Sequence, residues 1–359
     1  MKRIAGAIVL HLGLLYSSAA QQYDPMYNAS VVSGRIGETT VSLYLGPSPF
    51  LSDAAISFIR GATGTLEVCM YEINLPDVLD ELLEAHHRGV AVRVAVHPAS
   101  IPTTHDRYLW EKFNRLITRK LLRPTDNKSG LMHNKFMVRD GHTFWTGSYN
   151  LTKNDTEMND NNVITFTHPQ LAANYLAEFD EIWEGIHGKR GAAPTPFPEL
   201  RIGNVPVKNY FSPEDDLEKA VVAEIGRATN SIYIMAFALS DLGIFRALKE
   251  RAEAGVKIYT LFDLELARQK TSLSRVLTDV GVSVHISANN GQMHHKVVVI
   301  DENVVITGSA NFSASAYKSN DENILIFECP PLARAFMREC ARCWLAKPYI
   351  YNKWAQKMP

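Results

Sequence analysis

The chain carries one set of chemistry-bearing residues twice. His133, Lys135, Asp140, Gly147, Ser148 and Asn150 recur with the same internal spacing as His294, Lys296, Asp301, Gly308, Ser309 and Asn311. Six residue types at fixed offsets do not coincide twice through composition, so the chain must accommodate two versions of one folded unit. The repeat extends upstream of the motif. Val41 to Val96 lies on Val207 to Phe262 at a constant offset of 166 (207 minus 41), pairing Tyr44 with Tyr210, Pro47 with Pro213, Ala62-Thr63 with Ala228-Thr229 and Gly89-Val90 with Gly255-Val256. At the histidines the offset has dropped to 161 (294 minus 133), so the first half holds five extra residues before its motif. They fall in or beside Pro98 to Thr125, the most basic stretch of the chain, which includes Arg107, Lys112, Arg115, Arg119, Lys120 and Arg123.

Each half reads as strand, helix, strand, variable segment, hairpin, helix, strand and helix. Leu66 to Tyr71 and Ser231 to Phe237 are short apolar runs of the kind buried on both faces of a sheet. Asp77 to His87 and Asp241 to Ala254 place apolar residues at helical spacing, with Gly89 and Gly255 just past the last turn. Val90 to Val96 and Val256 to Phe262 return as strands. This alternation predicts an α/β fold: two homologous sandwich halves with mixed, largely parallel sheets, related by a pseudo-two-fold axis around one active site. The boundaries expected are a leader at 1–20, a first half at 38–187, a linker at 188–206 rich in Pro and Gly, a second half at 207–347 and a tail at 348–359.

Met1-Lys2-Arg3, an apolar run from Ile4 to Tyr16 and Ser17-Ser18-Ala19-Ala20 have the three parts of a secretory signal, so export to a periplasm or the exterior with cleavage near Ala20 is expected. The apolar run is shorter than the roughly 20 residues that span a bilayer. With 37 basic and 38 acidic residues the formal charge is -1, which excludes a global attraction to nucleic acid or anionic lipid and requires any anion site to be local. Four cysteines in 359 residues do not make a disulfide framework. Cys69 reads as a small buried hydrophobe, Cys329, Cys340 and Cys343 could include one bridge, and Cys340-x-x-Cys343 without a second ligand pair does not make a zinc site. No metal or cofactor is expected.

On a strand, His133 and Lys135 project to one face while Asn134, Phe136 and Val138 project to the other. Asp140-Gly141 then signals a tight turn, and the return strand delivers Ser148 and Asn150 beside His133. His294, Lys296, Ser309 and Asn311 repeat the arrangement around a turn at Asp301, and His295 faces away as a packing residue. Asp140 and Asp301, at tight turns, have a sufficient structural reason to be there. Two imidazoles, two ammonium groups and two primary amides suit a phosphodiester. The cations and amide donors stabilise charge on phosphoryl oxygens, and in-line displacement needs a nucleophile on one side of phosphorus and a proton donor on the other. The duplication therefore implies one composite site.

Both strings resemble the HKD motif of the phospholipase D superfamily, and the resemblance covers nearly the whole chain after the leader. It implies a pair of α/β sandwiches sharing one metal-independent site, a phosphohistidine intermediate on one of His133 and His294, and phosphate binding by Lys135, Lys296, Asn150 and Asn311. Ser148 and Ser309 are assigned to substrate on the same footing. The family also places a glutamate about twelve residues after the motif asparagine; Glu322 occupies that place in the second half, whereas the first half has Asn161. Pairing each histidine with the residue of its own half makes His294, backed by Glu322, the general acid, and His133, beside Asn161, the nucleophile.

The expected activity is phosphoric diester hydrolysis. Nucleic acid is the favoured substrate, on the basic stretch with Arg115 and Arg119 as backbone contacts and on a likeness of Tyr149, Lys153 and Asn159 to Asn162 to exported nuclease-like members of the family. The alternative is a phospholipase D or a cardiolipin synthase-like phosphatidyltransferase acting on phospholipid, since Tyr108, Leu109, Trp110, Phe113, Leu116 and Ile117 would also suit transient contact with a membrane surface. A non-catalytic phosphate-binding protein is disfavoured by the completeness of both motifs. The chain is read as a monomer.

Overall fold

The computed structural model describes residues 31–346, apart from 37, 104, 127–129 and 189–193. The expected leader and the whole of the expected tail lie outside the described residues.

The first half contains β1 (Val31–Ile36), β2 (Thr39–Leu45), α1 (Phe50–Arg60), β3 (Thr65–Met70), α2 (Pro76–His87), β4 (Ala91–Val96), α3 (Arg107–Thr118), β5 (Leu122–Pro124), β6 (Lys135–Arg139), β7 (Thr143–Gly147), α4 (Lys153–Glu157), β8 (Asn162–Thr167) and α5 (Pro169–Trp183). The second contains β9 (Glu199–Ile202), β10 (Val205–Ser212), α6 (Leu217–Gly226), β11 (Ser231–Ala236), α7 (Leu242–Glu253), β12 (Lys257–Phe262), α8 (Leu264–Ala267), α9 (Ser274–Asp279), β13 (Ser283–Ile286), β14 (Lys296–Ile300), β15 (Val304–Gly308), α10 (Ala314–Lys318), β16 (Glu322–Glu328) and α11 (Pro330–Leu345).

The sheet orders, β1-β2-β8-β7-β6-β3-β4-β5 and β13-β12-β11-β14-β15-β16-β10-β9, are the same order read in opposite directions, so the duplication holds strand for strand. The sheets are mixed, but parallel pairing is confined to β3-β4-β5 and β11-β12-β13; the other ladders are antiparallel. The expectation of largely parallel sheets is corrected here. Helical crossovers generate the parallel part, whereas the motif hairpin and the two outer strands add pairs that need no crossover. The boundaries shift for the same reason. β1 precedes residue 38 and β9 lies inside the expected linker, and each is the edge strand of its sheet.

Each sheet has a private core on one face: α1, α2 and α3 cover the first, α6 and α7 the second. On the other faces one shared core joins the halves, drawing Phe136, Phe144 and Ile164 from one sheet, Tyr233, Val297 and Leu325 from the other, and Tyr175, Phe179 and Phe336 from α5 and α11. All four cysteines are buried free thiols, so the bridge allowed among Cys329, Cys340 and Cys343 is not formed. Cys69, Cys329 and Cys340 serve as small hydrophobes, whereas Cys343 also touches Arg342 and Glu339. Among the described residues no helix is long and apolar enough to cross a membrane.

Candidate active site

The motif strands β6 and β14 run through the middle of their sheets, with the histidines just before them. What lies against those histidines comes from the opposite half. The His133 amide donates to the Asp321 carbonyl at 3.0 Å, and the His294 amide donates to the Asp160 carbonyl at 3.0 Å, extending bridges from Met132 to Asp321 and from Asp160 to Met293. The segments entering β8 and β16 are thus exchanged across the pseudo-dyad. Thr146 Oγ1 donates to Asn323 Oδ1 and Asn162 Nδ2 donates to Thr307 Oγ1, locking the exchange from both sides.

This crossing overturns the pairing expected from the sequence. Glu322 belongs to the repeat unit of His294 but lies on His133, with Oε2 2.8 Å from Nδ1; Asn161 Oδ1 lies 2.8 Å from Nδ1 of His294. Each imidazole is held through Nδ1, leaving Nε2 as the nitrogen available for chemistry. Tyr71 packs edge-on to His133 and Phe237 edge-on to His294, at centroid distances of 4.7 and 5.0 Å, and the same rings lie under the ammonium groups of Lys135 and Lys296. These aromatics end the apolar strands that align in the repeat, a position from which the sequence could have indicated them.

Ser148 and Ser309 are fully buried. Ser309 Oγ donates to Glu322 Oε2 at 2.7 Å and accepts from the Asn323 amide at 3.0 Å; Ser148 Oγ donates to Asn161 Oδ1 at 2.8 Å and accepts from the Asn162 amide at 3.0 Å. The assignment of the serines to substrate is corrected on this ground: each hydroxyl proton is spent on the group that holds the opposite half's histidine. The preceding glycines are required sterically, because a Cβ at Gly147 or Gly308 would collide with the carbonyl of Asn162 or Asn323. Asp140 accepts from the amides of Thr63, Gly64 and Thr65, and Asp301 from those of Thr229, Asn230 and Ser231. Both aspartates adopt positive φ at the hairpin turn and fasten it to the loop that opens the neighbouring strand.

Lys135 and Lys296 are buried and donate to the carbonyls of His133 and His294 at 2.6 and 2.7 Å. Burial pulls Lys135 down to about 8 and Lys296 well below its usual range, and Lys135 depresses Lys296 further. Burial also holds both imidazoles well below the ordinary histidine value; the lysines act in the same direction. Burial pushes Glu322 up to about 7, against the pull of Lys135 and its hydrogen bonds from Ser309 and Asn320. A phosphodiester monoanion entering here, and the further charge that develops on its oxygens during displacement, would meet two lysine side chains already stripped of water.

Asn150 and Asn311 close the motif loops. Asp155 accepts from the Asn150 backbone amide at 2.7 Å and from its side-chain Nδ2 at 2.9 Å, which fixes the carboxamide; its repeat counterpart is Ala316. Nothing in the motif pointed to Asp155. Arg115 and Arg119, by contrast, are not brought to the site. β4 and β5 are parallel, so α3 between them runs back from the histidine-bearing end of the sheet, and both arginines lie at its far end. They are exposed, and Arg119 Nη1 donates to the Arg115 carbonyl. The apolar side of the same helix, Leu109, Phe113 and Leu116, is already buried in the core of its half. Basic composition did not reveal which end of the helix faces the histidines.

Beneath the catalytic layer His295 does more than pack. Its Nδ1 lies 3.0 Å from Asn162 Oδ1 and its Nε2 3.0 Å from Glu339 Oε1. His295, Glu339 and Cys343 bring potential ligand atoms within 4.8 Å of one another. Arg342 occupies this group, donating to both Glu339 oxygens at 2.8 and 2.7 Å, to Cys343 Sγ at 3.2 Å and to Asp160 Oδ1 at 2.6 Å. A cation is therefore already built into the cluster.

A family model described as "Cardiolipin synthase, PLD-like domain" matches residues 55–183 and again 221–344. Phospholipase D of Rickettsia conorii is 37% identical over 132 residues, 37% of this chain and 66% of that protein, so the chain spans just under two thirds of that relative. Mitochondrial cardiolipin hydrolase of Xenopus laevis is 30% identical over 156 residues, 42% of this chain and 74% of that protein. The phosphatidylserine synthase structure from Haemophilus influenzae superposes with a TM-score of 0.62 over 90% of both chains at 12% identity, a likeness of fold. With two motif-bearing halves each matched by the family model, the chain belongs to the phospholipase D superfamily.

Proposed function

We propose that the chain is a phosphodiesterase that works by double displacement on histidine without a metal ion. The observation that carries this reading is the pair of imidazoles held through Nδ1 by residues of opposite halves, with one buried lysine beside each. Nε2 of His133 attacks phosphorus, the P–O bond to the leaving alcohol breaks, and His294 delivers its proton to that oxygen. Water then attacks the phosphohistidine, giving its proton to the now neutral His294, and the P–N bond breaks to release the phosphomonoester.

The roles keep the order expected from the sequence, for a different reason. A phosphorylated imidazole bears a positive charge for the lifetime of the intermediate, so the buried carboxylate belongs behind the nucleophile, and Glu322 backs His133. An acid must release its proton, and the neutral oxygen of Asn161 holds that proton less firmly.

Phospholipid is the substrate class we favour. The named relatives are phospholipase D and cardiolipin hydrolase proteins, and exposed apolar side chains stand where the chain leaves the histidine-bearing strand ends: Tyr108, Leu131, Met158, Leu242 and Leu264. Nucleic acid is the second reading, supported by the exposed cations of α3, although Arg115 and Arg119 lie at its far end. The full chain, held in excess chelator, is incubated with phosphatidylcholine and cardiolipin vesicles, single-stranded and duplex DNA and RNA, beside His133→Ala. Cleavage of lipid that disappears in His133→Ala is expected. Cleavage confined to nucleic acid would replace the lipid reading with the second one, and activity abolished by chelator would end the metal-free mechanism.

A further inference from the structure

The two halves differ in where they carry their carboxylate. In the second half it is Glu322, at the entrance to β16, and the residue aligned with Asp155 is Ala316. In the first half the entrance to β8 carries Asn161 and the acid stands six residues earlier, in α4. The fold brings that acid to the same histidine that Asn161 holds: Asp155 Oδ2 is 3.9 Å from His294 Nδ1. Asp155 is 3% exposed, so solvent does little to screen it. Its position is tightly determined. Besides the two bonds from Asn150, it accepts from Asn159 Nδ2 at 2.5 Å, its backbone amide donates to Thr152 Oγ1, and its carbonyl accepts from Asn161 Nδ2 at 3.5 Å.

We propose that Asp155 is the displaced carboxylate partner of His294, a positioning residue that holds Asn150 and Asn161 in place and supplies the negative charge that Asn161 lacks. The inference rests on the phosphodiesterase reading and deepens it: the chain preserves one carboxylate per histidine while moving one of them out of hydrogen-bond contact. The consequence is functional. His294 must carry a proton to act as the acid, yet it faces Lys135 and His133 from the first half, Lys296 and His295 on its own strand, and burial, all of which favour the neutral ring. Asp155 opposes them from 3.9 Å. Because no hydrogen bond joins it to the ring, the proton is favoured without being clamped. Asp155 acts on both lysines in the same sense, as does Glu322, and Asp263 adds to the effect on Lys296; Asp155 also favours the neutral forms of Glu72 and Tyr149.

The test uses the full chain, with two variants and two readouts. Asp155→Asn keeps the shape and removes the charge. The double variant Asp155→Ala with Asn161→Glu moves the charge to the place it has in the second half. Histidine NMR titration, which needs no substrate, should show His294 losing its proton about tenfold more readily in Asp155→Asn, a shift of about one pH unit, and regaining it in the double variant. In turnover of a soluble chromogenic diester, the alkaline limb of kcat should move to lower pH in Asp155→Asn, because activity is lost as pH rises through the acid's pKa, and should return in the double variant. An unmoved His294 titration in a folded Asp155→Asn protein overturns the proposal. So does a shift that the relocated charge fails to restore, since that would mark Asp155 as a scaffold for Asn150 alone. A titration that moves while no diester is cleaved by any form supports the charge pairing and counts against the phosphodiesterase reading.

Discussion

The layers beneath the two histidines have diverged more than the histidines themselves. Under the second half, His295 and Glu339 are joined by Arg342, which also reaches Asp160; Arg342 and His295 hold Glu339 far below the ordinary carboxylate range. Under the first half the aligned residues are Asn134 and Glu178, joined by a 2.8 Å bond, and the residue aligned with Arg342 is Glu181. Burial, with Glu214, Asp321 and Glu181 adding to it, pushes Glu178 well above that range. One half therefore rests on a carboxylate held toward its charged form by an arginine and a histidine, the other on an acid and amide where burial favours the protonated form. The lesson is that a duplicated site can keep its reacting groups identical while each copy solves the desolvation of its support differently. Burial raises both Asp160 and its counterpart Asp321, but Asp160 is pulled back by its ion pair with Arg342 at 2.6 Å, whereas Asp321 is lifted to about 8.

The comparison can be broken at several points. Replacing either histidine should have the largest effect on activity. His133→Ala and His294→Ala should each lower kcat by about a thousandfold or more, because a nucleophile and its acid act as a unit; initial rates on a soluble diester test this. Glu322→Gln should follow, with kcat lower by about a hundredfold, since His133 loses the charge that balances its phosphorylated form; Asn161→Asp, which puts a carboxylate in hydrogen-bond contact with His294, should instead move the alkaline limb of kcat to higher pH, because it favours the protonated ring. On stability, Arg342→Met should cost about 3–5 kcal/mol, because it leaves Glu339 and Asp160 buried without their cation. Denaturant unfolding reads this directly, and Glu178→Gln in the first half should cost far less because burial already favours the protonated form of that group and its partner Asn134 is an amide rather than a cation. The pH dependence separates the halves too. Glu339 is depressed in the folded protein, so its stabilising contribution is present above the unfolded carboxylate value and is lost as pH falls through the lower folded one; Glu178 makes no such contribution. The smallest effect is expected from Arg115→Ala with Arg119→Ala, whose kcat on a soluble diester should match the parent protein.

Much of this molecule was legible in its sequence because the informative signals were local. β3, β11, α2 and α7 fall within one residue at each end of the apolar runs and helical stretches read from the chain. The paired turns at Asp140 and Asp301 follow from residues adjacent in sequence. What was not legible depends on crossing between halves. Glu322 and His133 are 189 residues apart, and aligning the repeats pairs each motif with its own unit, whereas the fold exchanges the segments that enter β8 and β16. The serines look like substrate donors until Glu322 and Asn161 are seen to accept their protons. The basic segment before the first motif, read from the sequence as a variable segment, forms α3, and the direction of that helix depends on the parallel crossover that leads into β5.

The central claim is that a single composite site uses its two histidines unequally, with the carboxylate-backed one forming the covalent bond. Rapid quenching of a single turnover with a diester labelled at phosphorus, followed by peptide mapping under alkaline conditions, tests it most directly. The account predicts label on the peptide containing His133, retained in His294→Ala, whose phosphohistidine lacks the base that activates water, and absent in His133→Ala. Label on the peptide containing His294 would contradict it.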